Sequence, residues 1–135
     1  MIREIARTQI ILTVSPNELP LVPVKINGRG PYQFVIDTGA SCCCLSTELA
    51  GELRIRRKRT EPSIGANSAF SVTMGKVGAI SIGKAVRRNL DVAIFDFDML
   101  KKADKNISGI IGYTFLNRYI VTIDYERNEL SLCKR

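Results

Sequence analysis

Histidine is missing altogether from the 135 residues. That absence excludes every Ser-His and Cys-His nucleophile pair, and it leaves a zinc site to cysteines or carboxylates alone. C-x-x-C spacing is missing too, because Cys42, Cys43 and Cys44 are contiguous. Three consecutive residues do not easily wrap a tetrahedral metal, and on a strand they alternate between faces. They are expected as small buried hydrophobes on a strand, in a reducing compartment, the cytoplasm. No metal and no cofactor is expected. No apolar run approaches the ~20 residues that span a bilayer. Arg3, Glu4 and Arg7 interrupt the region where a secretion signal carries its apolar stretch. A soluble chain with no membrane segment is therefore expected.

No composition break, repeat or low-complexity segment divides the chain, so one domain over residues 1–135 is expected. At 45% hydrophobic and 24% charged, it can bury a core without a disulfide or metal staple. The net charge is +7, and between Arg54 and Arg59 only Ile55 is not basic. No aromatic residue interleaves with these charges. The run is expected as a solvated edge strand or loop, and no nucleic-acid partner is expected. Polyanion binding with a steep salt dependence is the alternative.

The punctuation is that of an all-β protein. Leu21 to Ile26 alternates, with Val24 and Ile26 inward and Lys25 outward. Asn27-Gly28 follows, a hairpin signal because a type I′ turn needs positive φ at both positions. The return strand is expected over Tyr32–Ile36. Ser46 caps a short helical turn, with Glu48 near its positive end. Residues 53–60 should be extended, and the stretch from Ser63 to Phe70 should be a hairpin tip. Further strands are expected over Val77–Ile82 and Asn89–Phe95, then a loop or helical turn to Lys102. A last hairpin, Ile120–Tyr125 with Glu129–Leu132, should complete a sandwich or barrel.

The chemistry concentrates in Phe34-Val35-Ile36-Asp37-Thr38-Gly39-Ala40. An apolar strand ends in an acid, so Asp37 is anchored from beneath and open to a cleft. Gly39 permits close approach, and the Thr38 hydroxyl can hydrogen-bond within the turn. One carboxylate is a poor catalyst of peptide hydrolysis. Two in contact hold a single proton, so one activates water while the other donates to the carbonyl oxygen. Asp-Thr-Gly occurs only once, and the settings of Asp91, Asp96, Asp98 and Asp124 do not repeat it. A second Asp37 must then come from a second copy, which two-fold symmetry supplies.

The stretch Phe34 to Ser41 resembles the active-site loop of retropepsin-like aspartic proteases. So does the downstream signature Gly109-Ile110-Ile111-Gly112-Tyr113-Thr114-Phe115-Leu116. The flanking Leu21 to Gly28 and Ile123-Asp124-Tyr125 resemble non-viral members. The resemblance implies a closed barrel, one lobe per chain, and an aspartic endopeptidase working as a homodimer on peptide. Asp37, Thr38 and Gly39 would be catalytic, with Ile110-Ile111-Gly112 supporting them from behind. Substrate would meet Ala40, Ser41 and Ile110, and also Gly65 and Ala66 in a flap running to Phe70. Departures exist: Ser41 and Cys42 stand where viral enzymes have acids, and Tyr113 stands where they have arginine. The ion pair bracing viral dimers is therefore missing, which favours a second reading, a catalytically silent peptide-binding or structural module of the same fold.

Overall fold

The computed structural model describes residues 7–11, 13–14, 19–64 and 69–135 of the chain. The early strands are β1 (Arg7–Ile11), β2 (Thr13–Val14), β3 (Pro20–Ile26), β4 (Arg29–Ile36) and β5 (Cys44–Ser46), the last running into helix α1 (Thr47–Glu52). The middle holds β6 (Arg57–Ile64), β7 (Ala69–Ile82) and β8 (Ala85–Phe95). Helix α2 (Asp98–Ala103), β9 (Ile107–Ile111), helix α3 (Tyr113–Leu116), β10 (Tyr119–Asp124) and β11 (Glu129–Lys134) complete it. Six strands close a barrel in the order β3-β4-β9-β5-β8-β7, because β7 also pairs with β3. β2 and β6 extend it, and β1-β11-β10 form a separate antiparallel sheet.

Local chemistry places several of these elements. Asn27 and Gly28 adopt φ of +52° and +78°, the positive values that the two-residue turn requires. Such a turn pairs the residues on either side of it, so Ile26 opposes Arg29 and β4 starts three residues earlier than Tyr32. The Asn27 side chain then accepts from Ala79 N at 3.0 Å, and Asn27 N donates to Ala79 O at 2.8 Å. These bonds tie the hairpin tip to β7 where the barrel closes. Ser46 caps α1 as expected, its hydroxyl accepting from Leu49 N at 3.1 Å. The extended run expected from residue 53 starts only at Arg57. Leu53 N bonds Leu49 O, and Arg54 takes a φ of +55° to leave the helix. Residues Arg57–Arg59 lie on the edge strand β6 and are exposed, as a solvated edge predicts.

Two apolar clusters use alternate residues of the same strands. Val22, Phe34, Ile36, Cys43, Leu45, Ile94 and Ile111 belong to the larger one. Leu21, Val35, Cys44, Ala93, Phe97 and Ile107 belong to the second. The strands around the Asp37 turn are therefore buried on both faces, which explains their near-continuous apolar runs.

Candidate active site

Phe34, Val35 and Ile36 are all buried, and the chain emerges at Asp37, Thr38 and Gly39, which are all exposed. β9 runs parallel to β4, with Ile36 opposite Ile111. Asp37 N extends that ladder by donating to Ile111 O at 3.0 Å. The turn then closes on itself: Ala40 N donates to Asp37 O at 3.1 Å, and Gly39 N donates to Asp37 Oδ1 at 2.9 Å. The hydroxyl of Thr38, expected to hold the turn, makes no hydrogen bond among the described residues. The carboxylate itself takes that role, because Gly39 N lies within its reach. Asp37 is thus an exposed acid with a fixed side-chain direction, since a bonded Oδ1 leaves the other oxygen outward.

The support behind the turn comes from far along the chain. Tyr113 N donates to Ala40 O at 2.8 Å. Cys43 N donates to Thr114 Oγ1 at 3.2 Å, and the Cys43 sulfur accepts from Gly112 N at 3.5 Å and from Thr114 Oγ1 at 3.8 Å. Burial pushes the Cys43 thiol up, opposed by the bonds from Gly112 and Thr114. Gly112 is required by close approach: a Cβ there would run into the carbonyl oxygen of Cys42 and stand 2.8 Å from that of Ala40. Ile110, half-buried, is paired with Val35 on one side and Cys44 on the other.

The structure therefore gathers Asp37, Thr38, Gly39, Ala40, Ser41 and Ile110 at one place. Gly65 and Ala66 lie outside the described residues. Their flanking strands β6 and β7 pair up to Ile64 and Ala69. The cysteines correct one expectation: the strand begins only at Cys44, Cys42 is half-buried, and Cys43 alone is fully enclosed. Cys43 and Thr114 were not foreseen as a clasp. The signal was the alternation of the three cysteines, which turns the middle one to the opposite face.

The other aspartates are engaged elsewhere. Asp91 meets Lys58 at 2.8 Å, and that hydrogen bond holds its carboxyl below the usual range. Asp124 accepts from Arg127 N and Glu126 N, at 3.0 Å each, and lies below its usual range for that reason. Asp96 accepts from Asp98 N at 3.0 Å. Asp104 accepts from Asn106 N at 2.9 Å.

A six-stranded barrel with an Asp-Thr-Gly turn at the end of one strand and an apolar-apolar-glycine strand beneath it is a retropepsin-like lobe. Residues 22–115 match the aspartyl protease family, and the chain belongs to that family. Among solved structures it resembles a retropepsin-like aspartic protease from Rickettsia conorii. The TM-score is 0.66 at 20% identity, covering 99% of this chain and 97% of that one. No curated protein matches the chain.

Proposed function

We propose that the chain is an aspartic endopeptidase that works as a symmetric homodimer. The observation that carries this reading is the Asp37 turn. One exposed carboxylate stands at the end of a buried strand that is tied to β9, with its Oδ1 held by Gly39 N. A two-fold axis beside this turn brings Asp37 to its own copy. The two carboxyls then share one proton: the charged one takes a proton from water, and the protonated one donates to the carbonyl oxygen of the peptide. The exposed Thr38 is covered in the same contact. Water attacks directly, so neither a covalent intermediate nor a metal enters. The β6–β7 hairpin, whose paired arms reach Ile64 and Ala69, serves as the lid over substrate. Val35 and Ile110 favour apolar side chains beside the scissile bond. The optimum is expected below neutral pH.

A dimeric site makes turnover rise more steeply than linearly with protein concentration below the dissociation constant. Titrating Asp37→Asn chains into wild type should depress activity beyond simple dilution, because mixed dimers hold one carboxylate. A linear dilution response, with activity surviving in pure Asp37→Asn, overturns the reading. The second reading, a silent peptide-binding module, is favoured by one feature. The 40–44 segment is tied inward by Tyr113 N and Thr114 rather than braced by an ion pair. A monomer in sedimentation that cleaves no peptide across acidic pH selects that alternative.

A further inference from the structure

The apolar face beside the Asp37 turn does not end at Ile110. Val35 is paired with Ile110, Ile110 with Cys44, and Cys44 with Ala93. Paired residues point to the same side of a sheet, and alternation along β8 adds Phe95 to that side. Val35, Cys44, Ala93 and Phe97 are buried in one cluster, against which Ile110, Phe95 and Leu100 pack half-buried. At the far end of this face, Phe95, Phe97, Met99 and Leu100 line a cavity of about 250 Å³. The Phe95 and Phe97 rings stand 4.8 Å apart, tilted by 40°. Met99 is 77% exposed at the cavity, where a flexible thioether can adapt to an incoming side chain.

The charge at this cavity runs against that of the whole chain. The net charge is +7, yet Asp98, the residue between Phe97 and Met99, has its carboxylate within 4.8 Å of those of Glu48 and Asp96. Lys101 answers Glu48 at 3.4 Å, and Asp96 accepts from Asp98 N. Asp98 makes no ion pair among the described residues. Its contact with Asp96 and that neighbour's charge push its carboxyl up, and a cation placed beside it relieves that crowding. An apolar hollow next to an unanswered carboxylate complements a large apolar side chain followed or preceded by a basic one.

We propose that this cavity is an anchoring subsite for substrate: it takes a large apolar side chain of the peptide, and Asp98 takes the lysine or arginine beside it. Two strand spacings and two residues along β8 separate Phe95 from Ile110, about 12 Å, or roughly three to four residues of extended peptide. The anchor therefore lies outside the reacting bond. It holds ground state and transition state alike, so it lowers KM and leaves turnover at saturating peptide unchanged. This consequence rests on the proposed peptidase reading; the binding of the peptide does not.

The chain contains no tryptophan, so the emission of a tryptophan peptide reports its own burial without background. The test is titration of the Asp37→Asn chain, near neutral pH, with end-blocked Lys-Trp-Lys, Ser-Trp-Ser and Glu-Trp-Glu. Emission should shift to the blue, with affinity falling in that order. Met99→Ser, at an exposed position that the fold tolerates, should weaken Lys-Trp-Lys about fivefold or more, as loss of an anchoring contact does. Asp98→Asn should weaken Lys-Trp-Lys by about two- to fivefold, the range of an exposed ion pair, and should leave Ser-Trp-Ser unchanged. No shift, equal affinity for the lysine and glutamate peptides, or indifference to Met99→Ser overturns the assignment. In a parallel assay on the wild type, a Phe-Lys pair placed three or four residues from the cleaved bond should lower KM, and Met99→Ser should cancel the gain. A pair without effect on KM overturns the subsite's part in cleavage. If the wild type cleaves nothing, the peptidase reading falls, while the titration still decides the cavity.

Discussion

Two exposed acidic places on this molecule differ in what lies beneath them. Glu48, Asp96 and Asp98 bring their carboxylate oxygens within 4.8 Å of one another. They rise from the first turns of two short helices and the residue pair before α2. Asp98 is pushed above the usual carboxylate range, first by its side-chain contact with Asp96 and then by that neighbour's charge. Lys101 offers partial relief, 3.4 Å from Glu48. The Asp37 turn has one acid instead of three, yet it stands on strands buried on both faces; the bond that it accepts from Gly39 N is of the same kind as the one Asp96 accepts from Asp98 N. The difference teaches that a useful acid is defined by its bed rather than by the number of its neighbours. The short helices beneath the acidic group are exposed at their first turns, whereas the Asp37 turn is locked to β9 through Ile111 O.

The largest expected effect tests that contrast directly. Asp37→Asn should cut peptide turnover by at least about a hundredfold, the range general acid–base groups command, and should leave the melting temperature unchanged because the residue is exposed. Asp96→Asn should leave turnover unchanged. Equal losses in the two variants, measured on the same peptide library at acidic pH, would break the comparison. A smaller effect probes the bed itself. In Gly112→Ala the new Cβ meets two backbone carbonyls, of Cys42 and Ala40, which cannot rotate away. Overpacking of this kind costs about 1–3 kcal/mol. Turnover should fall as well, since Ala40 is part of the Asp37 turn. Gly51→Ala is the control, because nothing lies within 4 Å of the added carbon on α1. It should hold or raise stability, as Ala exceeds Gly in a helix by roughly 1 kcal/mol. A Gly112→Ala chain as stable and active as wild type would show that the loop tolerates displacement.

What could be read from the sequence was what neighbouring residues decide. Asn27-Gly28 carries its own turn chemistry, Ser46 its own cap, and Asp-Thr-Gly its own turn at a strand end. The all-β class and closed barrel followed from the density of such signals and from the family resemblance. What escaped was decided over long separations. Strand β1 joins β11 across nearly the whole chain, and the clasp of Cys43 on Thr114 spans 71 positions. The hydrophobic pattern showed that Cys43 must face away from its two neighbours, but alternation names no partner. The role expected of Thr38 failed for a different reason. Both Thr38 Oγ1 and Asp37 Oδ1 are local acceptors, and the backbone N–H of Gly39 can serve only one. Sequence lists the competitors; the turn's dihedral angles pick the winner.

The smallest expected effect sharpens the other side of the comparison. Because Asp96 raises the Asp98 pKa in the folded state, the folded chain binds protons more readily there than the unfolded chain does. Stability from this pair is therefore fully present below the ordinary carboxylate range and is lost as pH rises through the folded value. At neutral pH the like charges oppose folding. Asp96→Asn removes the repulsion and keeps an oxygen able to accept from Asp98 N, a bond of 3.0 Å. The variant should melt slightly above wild type near neutral pH, and the two should converge as the carboxyls protonate. Added salt should shrink the neutral-pH gap, because exposed charges are screened. A variant less stable than wild type at neutral pH would mean that Asp96 is held by its charge, through Lys101 or the α2 N-terminus, and that the acidic group has more of a bed than its exposure suggests.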